Sequence, residues 1–539
     1  MRVRETRPLS LARSSCVVLA LLAAGASKPA LADGLSAANS QLFSETNANP
    51  LHPPAAGDQL GYAVATGDFD GDGVDDLAIG LRNDDQPIGP IADVGQVQIR
   101  FGIAGSGLQP QGANVKYLWQ GGASSVDDPE VGDHFGESLA VGDFDADGFD
   151  DLAIGIPGED VGTISNAGAV EVRYGAANRS DALASRRKLF HENITGVPDN
   201  AGIDDEFGHA LATGDFDGDT FDDLAIGVPL ETANDTTDGG RVFVLYGTSN
   251  GLAVAGAQTF EDGVETPDLF GHALAAADFD NDGRTDLAVG APGYSIGAGI
   301  VHVLRGHLSG LTWTGLQQGV WQNDIPHDSA ETGDHFGAAL AVGNFDDDPF
   351  PDLAIGVPLE GVLSGEFEVT AAGAVHVLFG SAIGVTGSGS QFWTASSAGV
   401  PGQAEVGDRL GYSLAAGDFD GDGFDELAIG VPFEENFRGP EEGDVVVLPG
   451  TSSGPTANGS LTWNLEVPGI LGDMNPGDHL AWCLAVGNFA GDGAQDLAIG
   501  IPNDGNIGGV LVLYGTAPFV GFANGFESGN LTAWSSHAP

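Results

Sequence analysis

The chain has 539 residues and carries 18 basic against 77 acidic side chains, a formal net charge of −59. Hydrophobic residues make up 42% of the sequence, which is enough for a packed core and excludes a wholly disordered chain. The acidic excess excludes a nucleic acid as the main ligand, because phosphate-backbone binding needs basic side chains. The negative charge favours binding of cations instead.

Residues 1–32 have the pattern of a secretory signal peptide. A basic start with four arginines precedes an apolar stretch at 17–24, and Ala30-Leu31-Ala32 is a cleavage signal. We therefore expect an exported protein, either secreted, held at the cell surface or periplasmic. No membrane span is expected, because no later segment has about 18 uninterrupted apolar residues. Cleavage would leave Cys483 without an intramolecular disulfide partner.

The remaining chain repeats one phrase seven times, close to Gly-Asp-Phe-Asp-Gly-Asp-Gly-x-Asp-Asp-Leu-Ala-Ile-Gly. Its first acidic or amide residue recurs every 63 to 75 residues, at Asp68, Asp143, Asp215, Asp278, Asn344, Asp418 and Asn488. A period of this length indicates a solenoid, a propeller or an array.

Each repeat predicts four short strands. The first strand ends at the acidic phrase, the second is Asp-Leu-Ala-Ile-Gly, and the third alternates apolar and polar residues. The fourth carries an aromatic residue, at Trp119, Phe190, Phe260, Trp321, Trp393 and Trp463. Four antiparallel strands repeated seven times predict an all-β, seven-bladed β-propeller over residues 33–517, followed by a short tail at 518–539.

The two ends of the predicted propeller complement each other. The last repeat has no fourth strand of its own, and a matching strand precedes the first repeat at 41–45. We expect this N-terminal strand to complete the seventh blade, because closure removes an exposed sheet edge.

The acidic phrase has the spacing of a calcium loop. In the first repeat, carboxylates stand at loop positions 1, 3, 5 and 9, Gly73 allows a sharp turn at position 6, and Val74 can offer a carbonyl at position 7. An EF-hand is excluded, since position 12 is Ile79 and strands flank the loop. The other open alternative is an acidic turn that binds no ion.

These motifs resemble the FG-GAP repeat. The resemblance rests on Phe135-Gly136 and Phe207-Gly208, on the Asp-x-Asp-x-Asp-Gly loop, and on Gly227-Val228-Pro229. FG-GAP repeats build the seven-bladed propeller of integrin α subunits, and they also occur in secreted bacterial proteins and in glycosylphosphatidylinositol-specific phospholipase D. The resemblance implies this fold and up to seven Ca²⁺ ions in the loops.

The resemblance implies calcium ligands at loop positions 1, 3, 5 and 9, with a backbone carbonyl at position 7. The residues are Asp68, Asp70, Asp72, Val74 and Asp76; Asp143, Asp145, Asp147, Phe149 and Asp151; Asp215, Asp217, Asp219, Phe221 and Asp223; Asp278, Asp280, Asp282, Arg284 and Asp286; Asn344, Asp346, Asp348, Phe350 and Asp352; Asp418, Asp420, Asp422, Phe424 and Glu426; and Asn488, Asp492 and Asp496.

Four substitutions set individual loops apart. Thr220 replaces the turn glycine of the third loop, and Pro349 replaces that of the fifth, so we expect both to be distorted. Glu426 alters the geometry of the sixth loop. Ala490 removes a ligand from the seventh, which we expect to bind calcium most weakly.

No catalytic constellation stands out, so we expect a binding or adhesion module rather than an enzyme. The Gly-x-Ser-x-Gly matches at 247–251 and 450–454 fall at equivalent points of two repeats and predict hairpin turns. A secreted polysaccharide lyase or glycosidase and a structural surface component stay open as alternatives. We expect a protein or glycan partner on the face opposite the calcium loops, on the variable segments 159–167, 230–239, 359–372 and 433–443.

Overall fold

The computed structural model describes thirteen segments of the chain. They are residues 34–44, 54–85, 91–110, 115–121, 128–184, 186–198, 200–231, 239–262, 267–313, 319–326, 329–364, 367–435 and 440–516. The signal peptide predicted at 1–32 and the tail predicted at 518–539 lie outside them. Helical structure within them is confined to one turn, Tyr294–Gly297, and two 3₁₀ turns, Gln322–Asp324 and Asp504–Asn506.

The described residues form seven antiparallel sheets, one for each predicted blade. The strands of blades 1 to 3 are β2 (Leu60–Gly67), β3 (Asp76–Leu81), β4 (Gln96–Arg100) and β7 (Lys116–Leu118); β8 (Leu139–Gly142), β9 (Asp151–Ile156), β10 (Ala169–Arg173) and β11 (Arg187–Phe190); and β12 (Ala210–Gly214), β13 (Asp223–Val228), β14 (Arg241–Tyr246) and β15 (Ala253–Phe260). Small hairpins add β5 (Gly102–Ile103) with β6 (Gly107–Leu108), and β21 (Val362–Ser364) with β22 (Phe367–Val369).

Blades 4 to 7 continue the same order. Their strands are β16 (Ala273–Ala277), β17 (Asp286–Ala291) and β18 (Ile300–Leu304); β19 (Ala339–Gly343), β20 (Asp352–Val357), β23 (Ala374–Phe379) and β24 (Thr386–Trp393); β25 (Leu414–Gly417), β26 (Glu426–Val431), β27 (Asp444–Leu448) and β28 (Leu461–Trp463); and β29 (Leu484–Gly487), β30 (Asp496–Ile501), β31 (Gly509–Tyr514) and β1 (Ser36–Ser44).

Blade 4 differs at its outer edge. Its sheet has three strands in the described residues, and the outer position is marked by two isolated bridges, Val301 to Val320 and Arg305 to Thr312. Trp321, the aromatic residue expected in a fourth strand, instead precedes the 3₁₀ turn.

The N-terminal strand completes the seventh blade, as the sequence predicted. β1 pairs antiparallel with β31, with Gln41 opposite Val512 and Phe43 opposite Val510. The innermost strands of neighbouring blades contact each other in turn, and β29 contacts β2. The chain therefore forms a closed seven-bladed β-propeller.

The hydrophobic core lies between the blades. Seven clusters of buried residues each join two neighbouring blades; one of them packs Val172 of blade 2 against Leu224 and Phe243 of blade 3. The phenylalanine at loop position 2, such as Phe216, is fully buried in every blade. Because no blade buries its faces alone, the ring must close for the core to form.

Two glycines set the spacing between adjacent blades. A Cβ on Gly227, at the end of β13, would lie 2.1 Å from the carbonyl oxygen of Gly271 in the next blade. Gly271 follows the buried Phe270 and has a φ of +91°, a region that favours glycine. The Phe-Gly motif thus allows one backbone to touch the next, and the same contact recurs between Gly155 and Gly208.

Replacing Gly227 with alanine should therefore destabilise the propeller. We expect a loss of at least about 1–3 kcal/mol, because the methyl group meets backbone atoms that cannot rotate away. Gly361→Ala is the control, since its Cβ would approach only the flexible end of Glu368. Equal urea midpoints for the two variants would contradict the inter-blade contact.

Candidate metal centres

Each acidic loop folds around the side chain at its first position. Asp68 accepts hydrogen bonds from the backbone N–H groups of Asp72 (3.0 Å) and Gly73 (2.7 Å). The same pair of bonds forms at Asp143, Asp215, Asp278 and Asp418. One carboxylate therefore closes the turn by local side-chain to backbone bonding.

The acid at position 9 joins the loop to a second turn. Asp76 is fully buried and accepts N–H groups from Phe69 (3.1 Å) and from Gly102, which follows the third strand (2.8 Å). The same two bonds form at Asp151, Asp223, Asp352, Glu426 and Asp496. The acidic loops and the turns between third and fourth strands therefore share one face.

The structure brings positions 1, 3 and 9 together. Carboxylate oxygens of these positions lie within 4.8 Å of one another in the first three loops. The residues are Asp68, Asp70 and Asp76; Asp143, Asp145 and Asp151; and Asp215, Asp217 and Asp223. Oxygen ligands at this density suit a hard divalent cation such as Ca²⁺.

Position 5 has a second role in the same turn. Asp72 accepts the N–H of Val74 at 3.1 Å. The position-7 N–H is held in the same way by Asp147, Asp219, Asp282, Asp348, Asp422 and Asp492. The residue at position 7, whose backbone carbonyl is a predicted calcium ligand, is thus held in place by the carboxylate at position 5.

Burial disfavours the charged form of every position-9 acid. It raises the pKa of Asp76, Asp151 and Asp223 to about 8, and neighbouring loop carboxylates raise it further. Burial likewise raises the pKa of Asp286, Asp352 and Asp496 to about 7 and that of Glu426 to about 9. A cation in the loop would favour the ionised form of these groups.

Several buried oxygens in the loops have no hydrogen-bond donor among the described residues. They include one carboxylate oxygen (Oδ1) of Asp145, Asp217 and Asp280, all at position 3. A buried carboxylate oxygen without a donor is costly unless a cation meets it. The loops therefore fit calcium.

Arginines support three of the loops, which the sequence did not reveal. Arg179 donates to Asp70 (2.5 Å) and Asp72 (2.7 Å) of the first loop. Arg186 pairs with Asp145, and Arg305 pairs with Asp280. At Asp145 and Asp280 the arginine takes Oδ2 and leaves Oδ1 for a ligand, which is how an outer group orients a metal-binding carboxylate.

The third and fifth loops show how the altered turn positions are accommodated. Thr220 adopts a φ of +78° and keeps the N–H donated to Asp215. Pro349 has no N–H to donate, and the side-chain amide of Asn344 instead donates to the carbonyl of Asp348 at 2.9 Å. In the fifth loop, therefore, the position-1 side chain donates the hydrogen bond that closes the turn, whereas in the other loops it accepts one.

The seventh loop keeps its shape with fewer carboxylates. Asn488 accepts the N–H of Asp492 at 3.1 Å, and Asp496 keeps its backbone bonds. Ala490 at position 3 supplies no side-chain oxygen. The loop therefore has one carboxylate among positions 1, 3 and 9, where the first three loops have three.

Position 8 links neighbouring blades, a role the sequence analysis missed. Asp150 accepts the N–H of Asp68 in the preceding blade at 2.8 Å, and Asp75 accepts that of Asn488 at 2.7 Å. Asp222, Asp425 and Gln495 make the same bond. The second aspartate of the Asp-Asp-Leu-Ala phrase was the available signal.

The two Gly-x-Ser-x-Gly matches lie in turns. Residues 247–251 connect β14 to β15, and residues 450–454 follow β27 on the way to β28. Neither stands between a strand and a helix, which a nucleophile elbow requires.

The repeats match a known family model. The FG-GAP repeat model matches residues 60–99, 135–172, 207–245, 270–304, 336–378 and 410–448. The chain is an FG-GAP repeat protein. The seventh blade lies outside these matches; there Leu480-Ala481 replaces Phe-Gly and Ala490 replaces an aspartate.

The chain is similar in sequence to two groups of proteins. The chain is 36% identical to integrin alpha-PS2 of Drosophila melanogaster over 247 residues, covering 43% of this chain and 16% of that protein. It is 34% identical to human phosphatidylinositol-glycan-specific phospholipase D over 200 residues, covering 36% of this chain and 22% of that protein. The chain thus matches less than a quarter of the length of either relative.

Among solved structures, a Bacillus licheniformis rhamnogalacturonan lyase covers 89% of this chain and is itself covered to 76%, with 13% identity and a TM-score of 0.43. No helix among the described segments is long and apolar enough to cross a membrane.

The raised pKa values predict how pH acts on the metal-free propeller. The position-9 acids would keep protons up to about pH 7–9 when folded, whereas an unfolded aspartate loses its proton near pH 3.9. The folded state then binds more protons, so its stability should fall as pH rises from about 5 to 8.5.

Melting temperatures measured after removal of divalent ions should therefore drop over this pH range. Excess calcium should reduce the drop, because a bound cation favours the ionised carboxylates. A metal-free melting temperature that is constant or rises with pH would contradict the burial of these acids.

Proposed function

We propose that this protein is a calcium-binding FG-GAP propeller that acts as an extracellular adhesion or binding module. The observation that carries the proposal is the convergence of carboxylates at positions 1, 3 and 9, of which position 9 is buried, with buried oxygens that lack donors. The relationship to integrin alpha propellers supports a protein or glycan ligand as the partner.

Calcium in this proposal is structural. Each loop lies between the two innermost strands of its blade, and its position-9 acid ties it to the neighbouring turn. A site at a calcium concentration ten times its dissociation constant would contribute about 1.4 kcal/mol. Several such sites would amount to a large part of the ~5–15 kcal/mol stability of a typical protein.

Exposed apolar residues support the opposite face as the binding surface. The loops there connect second to third strands and one blade to the next, and they carry exposed Val131, Ile203, Ile296, Leu363, Phe367, Val406 and Leu471. On the face of the acidic loops, the turns between third and fourth strands expose Leu308 and Ile383. Phe367 is 77% exposed on the β21–β22 hairpin, inside the variable segment 359–372.

Chelation should lower the melting temperature by many degrees, and magnesium should restore it poorly, because Mg²⁺ demands a stricter octahedral geometry. Asp217→Asn should remove one calcium equivalent in isothermal titration calorimetry, since Asp217 completes a three-carboxylate set without an arginine. Asp492→Asn, in the seventh loop with its missing carboxylate at position 3, is the matched control and should lower the calcium stoichiometry less. Identical melting curves in excess calcium and excess chelator would refute structural calcium.

Ligand recognition can be tested by a glycan array and a panel of purified extracellular-matrix proteins. The double variant Leu363→Ser, Phe367→Ser should weaken binding at least tenfold without a change in melting temperature. Leu308→Ser, an equally exposed change on the calcium-loop face, should leave binding intact. Loss of binding in the Leu308→Ser control alone would show that the partner binds the face of the acidic loops. Turnover of a polysaccharide by the pure protein would favour the enzyme alternative.

A further inference from the structure

A second set of acidic residues recurs between the blades, on the face opposite the calcium loops. An aspartate stands two residues before the Phe-Gly motif that opens a blade, and a second acid stands three residues after the end of the second strand of that same blade. Between blades 2 and 3 these are Asp205 and Glu231, which are 3% and 6% exposed. Equivalent pairs are Asp133 with Glu159, Asp334 with Glu360, and Asp408 with Glu434.

A third side chain reaches this junction from the outer edge of the preceding blade. Its position follows from strand register, two residues beyond the partner of the third-strand valine. Val97 pairs with Leu118, Val170 with Phe190, and Val301 with Val320. The residues at the third position are therefore Gln120, Glu192 and Gln322.

Where this residue is glutamine, it donates a hydrogen bond to the glutamate of the pair. The side-chain amide of Gln120 donates to Glu159, and that of Gln322 donates to Glu360 at 2.7 Å. These junctions are completed by a neutral donor. The junction between blades 2 and 3 has a third carboxylate, Glu192, in its place.

Glu192 is therefore buried without the donor that its counterparts provide. It is 1% exposed, and no N–H or hydroxyl donor among the described residues reaches either of its carboxylate oxygens. Its hydrogen-bond contact is with the carboxyl group of Asp205, which can donate only when it holds a proton. An oxygen of Glu192 lies within 4.8 Å of oxygens from both Asp205 and Glu231. Glutamine occupies this position in two other junctions of the same molecule, so the fold itself does not require an acid here.

Within the described residues, a single basic side chain acts on the charge of this cluster at Glu192. Asp205 accepts the N–H of Gly202, and Arg241 is the cation that acts on Glu192. Arg241 also bonds Glu261 at 2.8 Å, so its charge is shared with another acid. Burial raises the pKa of Glu192 to about 8 and that of Glu231 to about 9, so ionisation at neutral pH needs a further positive charge.

We propose that Glu192, Asp205 and Glu231 bind a hard divalent cation of the Ca²⁺ type between blades 2 and 3, at a site separate from the acidic loops. The ligands are carboxylate oxygens alone, which favours Ca²⁺ or Mn²⁺ over metals that prefer sulfur or imidazole. The ion would join the outer edge of blade 2 to the segment that connects blades 2 and 3 and to the loop after the second strand of blade 3. Its function is to fix the junction at the proposed binding face.

The test replaces Glu192 with the residue that its counterparts carry. Glu192→Gln should remove one calcium equivalent in isothermal titration calorimetry and retain the fold, since glutamine is already accepted at positions 120 and 322. In crystals soaked with Mn²⁺, an anomalous peak should lie among Glu192, Asp205 and Glu231 in the wild type and be absent in the variant.

Two controls separate this site from the others. Asp204→Asn changes an exposed acid beside the cluster and should retain the full calcium stoichiometry. The double variant Glu192→Gln, Asp217→Asn should lose two equivalents, one from each kind of site. Loss of the loop equivalent alone would overturn this proposal and leave the loop sites standing.

A second result would also overturn the proposal. If the three acids share protons instead of a cation, Glu192→Gln will leave the stoichiometry and the anomalous map unchanged. Its melting temperature in chelator would then differ from the wild type by the same amount as in calcium.

Discussion

The structure depends on seven acids that are buried at the junction of two turns. At position 9, each carboxylate lies almost completely out of water and is bonded to backbone N–H groups, most often one from its loop and one beyond the third strand. These bonds fix the loop against the neighbouring turn, but burial opposes the charge that makes them strong. A cation shared with positions 1 and 3 would resolve this conflict. Each of the first three loops therefore presents three carboxylates whose arrangement suits a cation.

Contact between blades is the second constraint. The core consists of clusters that each belong to two blades, so no blade is a stable unit alone. Close approach requires glycine on both sides of the junction, as at Gly227 and Gly271. Asp150 and Asp222 add bonds from each loop to the preceding one, which links the acidic loops around the ring. Pairing of β1 with β31 then joins the two ends of the described chain.

The repeats are alike in sequence but differ in how they balance charge. Arginines meet the position-3 carboxylates in the first, second and fourth loops, whereas Asp217 in the third has no arginine partner among the described residues. Because Pro349 has no N–H, the side chain of Asn344 donates a hydrogen bond to the fifth loop instead of accepting one. On the other face, glutamine completes two junctions and Glu192 stands in a third. Departures from the repeat thus distinguish sites that the common motif would make equivalent.

Much of this molecule could be predicted from the sequence because its information is periodic. Seven copies of one phrase predicted the number of blades, and the alternation of apolar and polar residues predicted strands. The additional strand at 41–45, before the first repeat, predicted closure by β1. Local spacing predicted that the acids at positions 1, 3, 5 and 9 of one hairpin converge, and in the first three loops the structure brings positions 1, 3 and 9 together. Only tertiary structure could decide the contacts between repeats, because these join residues that are distant in the chain. Arg179 of blade 2 reaches Asp70 of blade 1, Asp75 bonds Asn488 through ring closure, and Glu192 meets Glu231 only where blades 2 and 3 pack together. A motif fixes the geometry within a repeat, whereas the electrostatic environment of a buried carboxylate depends on whichever side chains the neighbouring blade places beside it.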